Sequence, residues 1–160
     1  TKTNEQKMEE SGVSQPLLML RAAEKGDVAA VRALVASRAR RGATFSMAPP
    51  LFRAACDSHL DVVRVLLDAG AGAGANELPG CLGEPLIYAA DNGDIEIVRA
   101  LLDAGADVGY VQRMGRGSIA TALGCAVERR RVDVIRVLYD VASLASKTHR
   151  LGAHVVTLCL

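Results

Sequence analysis

The feature that most constrains this chain is a helix-turn-helix pattern that returns at a nearly fixed interval. Its clearest copy runs from Pro85 to Val108 and consists of two apolar helical segments joined by the turn Asn92-Gly93. The small residues that mark the first segment of each copy recur at steps of 32, 35 and 37 residues, at Ala22, Ala54, Ala89 and Ala126. A period of this size predicts stacked repeats rather than one globular core.

The second segment of each copy carries one apolar face. In the third copy the spacing is i, i+1, i+4 and i+5, which places four apolar side chains on one side of a helix. The set is Ile97, Val98, Leu101 and Leu102 in that copy and Val62, Val63, Leu66 and Leu67 in the second; Val31, Leu34, Val35, Ile135 and Leu138 keep part of it in the first and fourth. Gly70 and Gly105 follow these segments and predict left-handed helix ends.

These motifs resemble the ankyrin-repeat family, whose unit of roughly 33 residues opens with T-P-L-H-x-A. The third copy has Pro85-Leu86 and Ala89-Ala90 at the expected places, whereas Glu84 stands for the usual Thr and Ile87 for the usual His. The resemblance covers about residues 17–141 and implies an all-α solenoid of about four helix-turn-helix repeats with hairpin or loop junctions.

The repeat pattern divides the chain into three parts. Residues 1–16 are polar and are expected to form a flexible tail or a cap on the first repeat. Residues 17–142 form the array, with repeats at about 17–47, 48–82, 83–119 and 120–142. Residues 143–160 are interpreted as a degenerate repeat or a capping helix, since one helical face would carry Leu144, Leu151, Val155 and Leu158. A piece of a longer array is the open alternative.

Composition narrows the function classes. The formal charge of +1 gives no overall positive potential that would attract nucleic acid or an anionic membrane surface. No apolar run approaches the ~20 residues of a membrane span. No signal peptide is visible, and the four cysteines, Cys56, Cys81, Cys125 and Cys159, form no C-x-x-C pair. We therefore expect an intracellular protein, cytoplasmic or nuclear, in a reducing compartment.

Three junctions interrupt the repeat. The first, residues 36–48, is interpreted as lacking the glycine-alanine stop and contains Arg38, Arg40 and Arg41. The second, residues 72–83, is rich in glycine and alanine, and the third, residues 109–120, contains Arg113 and Arg116. In the architecture that the resemblance implies, such junctions form protruding tips, and insertions there often lie on the binding face.

No catalytic constellation is visible. The three histidines have no patterned Ser or Cys beside them, and the acidic residues Asp61, Glu96 and Asp133 recur with the repeat, which indicates a structural surface role. Residues 70–75 fit G-x-G-x-x-A but lack the preceding strand and following helix that a dinucleotide site needs. The residues His149, His154 and Cys159 are five apart and would not share a helix face, so no metal or cofactor is expected.

The resemblance implies a non-catalytic protein-interaction module, an adaptor or scaffold that binds a partner segment in a concave groove. Carried over by position, the contact residues on the first helices are Glu24, Lys25, Cys56, Asp57, Asp91, Asn92, Glu128 and Arg129. Candidate tip residues are Arg40, Arg41, Gly80, Cys81, Arg113 and Met114. Changing Asp57, Asp91 and Asn92 together to Arg is expected to abolish binding while folding survives.

Two other functions remain open from the sequence. The array could be the adaptor or regulatory fragment of a larger enzyme or enzyme complex, which would use the same surface. A weaker alternative is nucleic-acid binding through the basic tips, which the scarcity of aromatic residues for stacking opposes. The run from Arg129 to Arg131 is interpreted as a solvated turn rather than an import or phosphate-binding patch.

Overall fold

The computed structural model describes residues 14–42, 45–71, 82–113 and 119–144. The helices in these ranges form four successive pairs. The pairs are α1 (Gln15–Glu24) with α2 (Val28–Arg41), α3 (Ala48–Cys56) with α4 (Leu60–Asp68), α5 (Gly83–Asn92) with α6 (Ile95–Asp103), and α7 (Ala122–Glu128) with α8 (132–144). The prediction of an all-α repeat solenoid is confirmed.

The helices lie in two layers. The first helices of the pairs, α1, α3, α5 and α7, pack one against the next and are called the inner helices. The second helices α2, α4 and α6 pack in the same order in the other layer, and these, with α8, are the outer helices. Each pair therefore has one face towards the preceding pair and one towards the following pair, as in a solenoid.

The core follows the sequence pattern closely. The alanines Ala54, Ala55, Ala89 and Ala90 have no exposed surface, and their small side chains allow adjacent inner helices to approach. The outer helices bury the apolar face that their spacing predicted, through Val62, Val63 and Leu66 in α4 and Ile97, Val98 and Leu101 in α6. The final leucine of each stripe is only half-buried, since it lies at the edge of the contact.

The turns between inner and outer helices share one backbone conformation. A left-handed residue stands at the same place in all four pairs: Gly26, Ser58, Gly93 and Arg130. Two of these are not glycine, and Ser58 and Arg130 adopt φ values of 61° and 57°. An L-residue carries a steric penalty in this region, so these two turns are strained where the other two are not.

The first junction differs from its prediction. Helix α2 has 14 residues, against nine in α4 and α6, and ends at Gly42, which is left-handed with φ 62°. Because residues 36–41 are Ala, Ser and Arg, the helix continues until this first glycine. The interpretation that the glycine stop is lost, and that Arg40 and Arg41 lie at a hairpin tip, is therefore wrong. Both arginines lie in the last turn of α2, where cations favour the helix dipole.

The third junction contains a short hairpin. Strand β1 (Gln112–Arg113) pairs antiparallel with β2 (Ile119–Ala120). The Tyr110 ring lies against the backbone of Gly83, where a Cβ would come within 2.2 Å of the ring, so only glycine fits at that helix start. The Gln112 amide donates to Glu84 at 3.0 Å, which ties the hairpin to α5.

Several sequence predictions fall on residues outside the described ranges. They are residues 1–13 of the tail predicted for 1–16, the tip residues Gly80, Cys81 and Met114, the residues His149, His154 and Cys159, and most of the proposed cap at 143–160. Gln15 and Pro16, which were assigned to the tail, lie in α1. Within the described ranges, no helix combines the length and apolar character needed to cross a membrane.

Candidate functional site

Three successive pairs contribute polar residues to one open groove of about 540 Å³, here called the turn groove. It forms where the inner helices end, because stacking places the ends of α3, α5 and α7 side by side. The lining residues are Cys56, Asp57, Ser58, Asp91, Asn92, Asp94, Arg129 and Arg131. The groove therefore lies along the turns and crosses two boundaries between pairs.

The structure brings together five of the residues that the sequence proposed as contacts: Cys56, Asp57, Asp91, Asn92 and Arg129. The other proposed residues of the inner helices, Glu24, Lys25 and Glu128, are exposed at helix ends and do not line this groove. Arg113 is exposed on β1, at the hairpin.

Sequence reasoning missed three lining residues, Ser58, Asp94 and Arg131. Ser58 is the left-handed residue of its turn, and Asp94 and Arg131 each follow the left-handed residue of theirs. The signal that could have found them is position within the repeat, because His59, Asp94 and Arg131 stand at the same place in successive copies. These three residues differ in chemical type, so their equivalent positions were not apparent from the sequence.

One backbone carbonyl in each of the first three inner helices accepts a hydrogen bond from a side chain of the following pair. Nε2 of His59 donates to the carbonyl of Glu24 at 3.0 Å, and Nδ2 of Asn92 donates to that of Cys56 at 3.0 Å. Nε of Arg131 donates to the carbonyl of Asp91 at 3.3 Å. The last carbonyls of a helix have no partner within it, so each of the first three inner helices is capped by a side chain of the following pair. This contact gives His59 a structural role between the first two pairs.

Two of the capping side chains pass directly over a turn glycine. A Cβ built on Gly26 would lie 2.9 Å from the His59 ring, and one built on Gly93 would lie 2.8 Å from Cδ of Arg131. Glycine at these turns therefore allows close approach of the capping side chain as well as the left-handed conformation. At both boundaries a side chain of the following pair thus lies against the turn of the preceding pair.

Charge in the groove is mixed, with three aspartates and two arginines. Nε of Arg129 donates to Oδ1 of Asp91 at 2.8 Å, and this hydrogen bond raises the pKa of the Arg129 guanidinium. The hydroxyl of Ser58 donates to Asp94 across the boundary between the second and third pairs. Both arginines of the groove thus contact Asp91, one at its carboxylate and one at its carbonyl. The run from Arg129 to Arg131 lies at a turn, as the sequence indicated, and also links two pairs.

The thiols near the groove are held in their protonated form. Burial raises the pKa of Cys56, and the neighbouring Asp57 carboxylate raises it further. The pKa of Cys125 is raised by burial and then by Asp91. A lowered pKa activates a thiol as a nucleophile, and the pKa of both of these partly buried thiols is shifted in the opposite direction. Within the described ranges, no cluster of three or more His, Cys, Asp or Glu could hold a metal ion.

The contacts of Asp91 and Asn92 change one expectation. The triple substitution of Asp57, Asp91 and Asn92 was expected to leave folding intact. In the structure, Asn92 caps the carbonyl of Cys56 and Asp91 binds Arg129, so two of the three side chains join neighbouring pairs. Loss of binding by that variant would therefore not separate recognition from stability. Asp57 alone is exposed, and its described side-chain contact is a distant ion pair with Arg53 at 3.7 Å.

Comparison with known protein families gives a match over the central part of the chain. A family model described as ankyrin repeats in many copies matches residues 51–102 and again residues 86–138. The two matches together span residues 51–138, which is more than half of the 160 residues. No curated protein matches the chain.

Proposed function

Because the chain belongs to the ankyrin-repeat family, we propose that it is a non-catalytic module that binds a segment of a partner protein along the turn groove. Ankyrin repeats are generally protein-interaction modules. The observation that carries the proposal is the convergence of polar side chains from three successive turns on one open groove. A single extended segment can contact all three turns, which suits recognition by several weak polar contacts.

The groove favours a partner segment that carries hydrogen-bond donors or positive charge. Its two arginines already contact Asp91, so they offer less to an incoming carboxylate. Asp57 and Asp94 each have one described polar contact, with Arg53 and Ser58 respectively. A carboxylate accepts about four hydrogen bonds, so both retain acceptor capacity. The partner would thus place a basic or amide side chain near Asp57 and Asp94.

An apolar contact is available on the same inner helices. The rings of Phe52 on α3 and Tyr88 on α5 pack edge to face, with centroids 5.1 Å apart, and both remain half-exposed. Partly exposed aromatic side chains are enriched in protein interfaces because they bury a large area with little entropy loss. A partner segment that carries both donors and an apolar side chain would match this surface.

The decisive experiment compares two substitutions with the same change of charge. Asp57→Lys alters the groove, and Asp68→Lys alters the end of the outer helix α4; both aspartates are exposed at the C-terminal end of a helix. Lysine at either place favours the helix dipole, so both variants should fold. A partner captured with the wild-type array should bind Asp57→Lys about tenfold or more weakly, since like charges would then meet. Asp68→Lys should bind it as the wild type does.

Equal affinity of the two variants, with unchanged thermal melts, would contradict binding along the turn groove. The contact surface would then be the hairpin tips, the outer helices or the C-terminal segment. An adaptor or regulatory role within a larger enzyme complex predicts the same response, and the identity of the captured partner distinguishes it from a free-standing scaffold.

Nucleic-acid binding is a weaker candidate function. Of the arginines in the first junction, Arg38 donates to the carbonyl of Phe45 at 3.3 Å and lies 5.4 Å from the centroid of its ring. Steep loss of affinity with added salt is the mark of phosphate contacts, so a salt titration with a nucleic-acid probe tests this alternative directly. We also propose an intracellular location, cytoplasmic or nuclear, which fractionation of cells would test.

A further inference from the structure

The inner helix of the third pair carries an acidic and an aromatic side chain on one face. Glu84 and Tyr88 stand at positions i and i+4 of α5, so their side chains are neighbours. The Tyr88 ring also packs edge to face with that of Phe52 on α3, with centroids 5.1 Å apart. All three residues are half-buried, and they lie outside the lining of the turn groove. They are here called the acid-aromatic patch.

The combination belongs to the third pair and not to the repeat. The repeat unit usually has a threonine at the position of Glu84, and the second and fourth pairs have Pro49 and Thr121 there. At the position of Tyr88, the second pair has Arg53. The common architecture therefore does not account for a carboxylate beside a tyrosine on α5.

The carboxylate of Glu84 keeps most of its capacity to accept hydrogen bonds. Within the described ranges its one hydrogen bond is with a neutral amide, since Nε2 of Gln112 donates to its Oε1 at 3.0 Å. A carboxylate accepts about four hydrogen bonds, and an amide leaves its negative charge unbalanced. Oε1 of Gln112 is itself buried without a donor. The hairpin side of the patch is therefore rich in acceptors.

A nearby arginine does not balance this charge. Arg53 on α3 is already engaged by two other carboxylates, with Glu24 at 3.0 Å and Asp57 at 3.7 Å. The pKa of the Cys56 thiol is raised by burial, by Asp57 and also by Glu84, so the field of the Glu84 carboxylate extends across the boundary to α3. A cationic group placed between α3 and α5 would thus meet a negative charge beside two aromatic rings.

We propose that the acid-aromatic patch binds an arginine side chain of the partner segment, with the guanidinium group on Glu84 and its flat surface against the rings of Phe52 and Tyr88. The inference rests on the proposed function, because it names one side chain of the segment that would lie in the turn groove. An arginine side chain combines an apolar stem with donors, which are the two features that this surface favours. Its planar guanidinium stacks on aromatic rings and donates a fork of hydrogen bonds that matches a carboxylate. A lysine ammonium group has the charge but neither the fork nor the flat surface.

The position of the patch also sets the spacing of the partner's contacts. Glu84 precedes Asp91 by seven residues on α5, which corresponds to about 10 Å along the helix axis. An extended chain covers that distance in about three residues. The partner segment would therefore carry its arginine about three residues from the donor that meets Asp57 or Asp94.

Three short peptides test the subsite directly on the full chain. The probe is acetyl-Gly-Arg-Gly-amide, compared with the same peptide carrying lysine or citrulline, and binding is followed by nuclear magnetic resonance. The arginine peptide should shift the signals of the Tyr88 ring and of the Glu84 amide. The lysine peptide should bind about threefold or more weakly, because it lacks the planar fork. The citrulline peptide, which keeps the shape without the charge, should bind about tenfold or more weakly.

Two glutamate variants provide a matched control. Glu84→Gln removes the charge of the patch and keeps an acceptor for Gln112, whereas Glu96→Gln makes the same change on the outer helix α6. Glu84→Gln should weaken binding of the arginine peptide about fivefold or more, and Glu96→Gln less than about twofold. Tyr88→Leu keeps an apolar side chain and loses the ring, so it should also weaken binding.

Equal binding of the three peptides would overturn the arginine subsite, and so would equal binding by the two glutamate variants. Absence of any shift at Tyr88, or shifts confined to the turns, would overturn it as well. Such results leave the turn groove standing, because that proposal is tested by Asp57→Lys with the captured partner. Arginine-selective binding at Glu84 together with an unaffected Asp57→Lys would instead contradict the turn groove alone.

Discussion

The third and fourth pairs have the same sequence pattern but different surroundings. In the third pair, Ala90 and Val98 are fully buried, and the inner helix of the fourth pair packs against that of the third. In the fourth pair the equivalent residues, Val127 and Ile135, are exposed and half-buried among the described residues. Burial in this architecture is therefore decided by the neighbouring pair as well as by the local pattern. Nearest-neighbour stacking of this kind gives an interior pair two stabilising interfaces and an end pair one.

The largest expected effect comes from removing a core side chain of the third pair. Leu101 is fully buried in α6, so Leu101→Ala should lower the free energy of unfolding by about 2–5 kcal/mol, since it leaves a cavity between stacked helices. Urea denaturation measures this change. The control is Arg99→Ala on the same helix, whose side chain is 55% exposed, with an expected effect within about 0.5 kcal/mol. A neutral Leu101→Ala would contradict the two-sided burial of the third pair.

The next prediction compares two losses of stability. One arises from the left-handed conformation of a glycine alone, and the other arises from that conformation together with a contact to the following pair. Gly93 and Gly105 are both left-handed, with φ 88° and 92°, but only Gly93 has a neighbour in the position of a Cβ. Gly105→Ala should cost about 1 kcal/mol through backbone strain alone. Gly93→Ala should cost about 1 kcal/mol more, because Arg131 must move and release the carbonyl of Asp91.

The two glycine variants can be compared by thermal or chemical denaturation under identical conditions. Equal losses of stability would mean that Arg131 rearranges freely. The third pair would then gain less from its successor than the structure indicates.

A smaller effect concerns side-chain contacts across the two boundaries of the third pair. Asn92→Ala leaves the carbonyl of Cys56 without its side-chain donor and should cost about 1 kcal/mol. Arg129→Ala removes an exposed ion pair with Asp91 and should cost less, with an effect that fades as salt is added. A loss for Asn92→Ala that vanishes in high salt would contradict a hydrogen bond to a neutral carbonyl.

The smallest effect is an expected gain. Arg130 is left-handed in the turn of the fourth pair, so Arg130→Gly should relieve strain and stabilise that pair by about 0.5 kcal/mol. Ser58→Gly relieves the same strain in the second pair but loses the hydroxyl contact with Asp94, so its net effect should be close to zero. Stability curves for the two variants distinguish these outcomes. A destabilised Arg130→Gly would show that the Arg130 side chain has a structural role.

The repeated pairs could be predicted from the sequence because their signals are local. The spacing that includes Val98 and Leu101 defines an apolar face within one helix, and Ala89 with Ala90 marks the close contact of inner helices. The length of α2 was missed because a helix continues until its backbone is stopped, and Gly42 lies later in its copy than Gly70 and Gly105 do in theirs. Lengths of variable junctions depend on such single residues.

The groove could be predicted only in part. Residues at the ends of inner helices, such as Asp57 and Asn92, follow from the repeat. The roles of Asp94 and Arg131 depend on which side chain reaches across a boundary between pairs, and that requires the distance between the pairs. For the same reason, the sequence did not reveal that Asn92 caps the carbonyl of Cys56.

The carbonyl caps also bear on the order in which the array folds during synthesis. Each donor, at His59, Asn92 and Arg131, lies later in the chain than the carbonyl that it caps. During synthesis, a pair that has just left the ribosome therefore still lacks the side-chain donor that will cap the end of its inner helix. Folding would trail translation by one pair, and a pause after the third pair would leave the carbonyl of Asp91 open to water. Stalled chains should thus lose their structure first at the most recently made end.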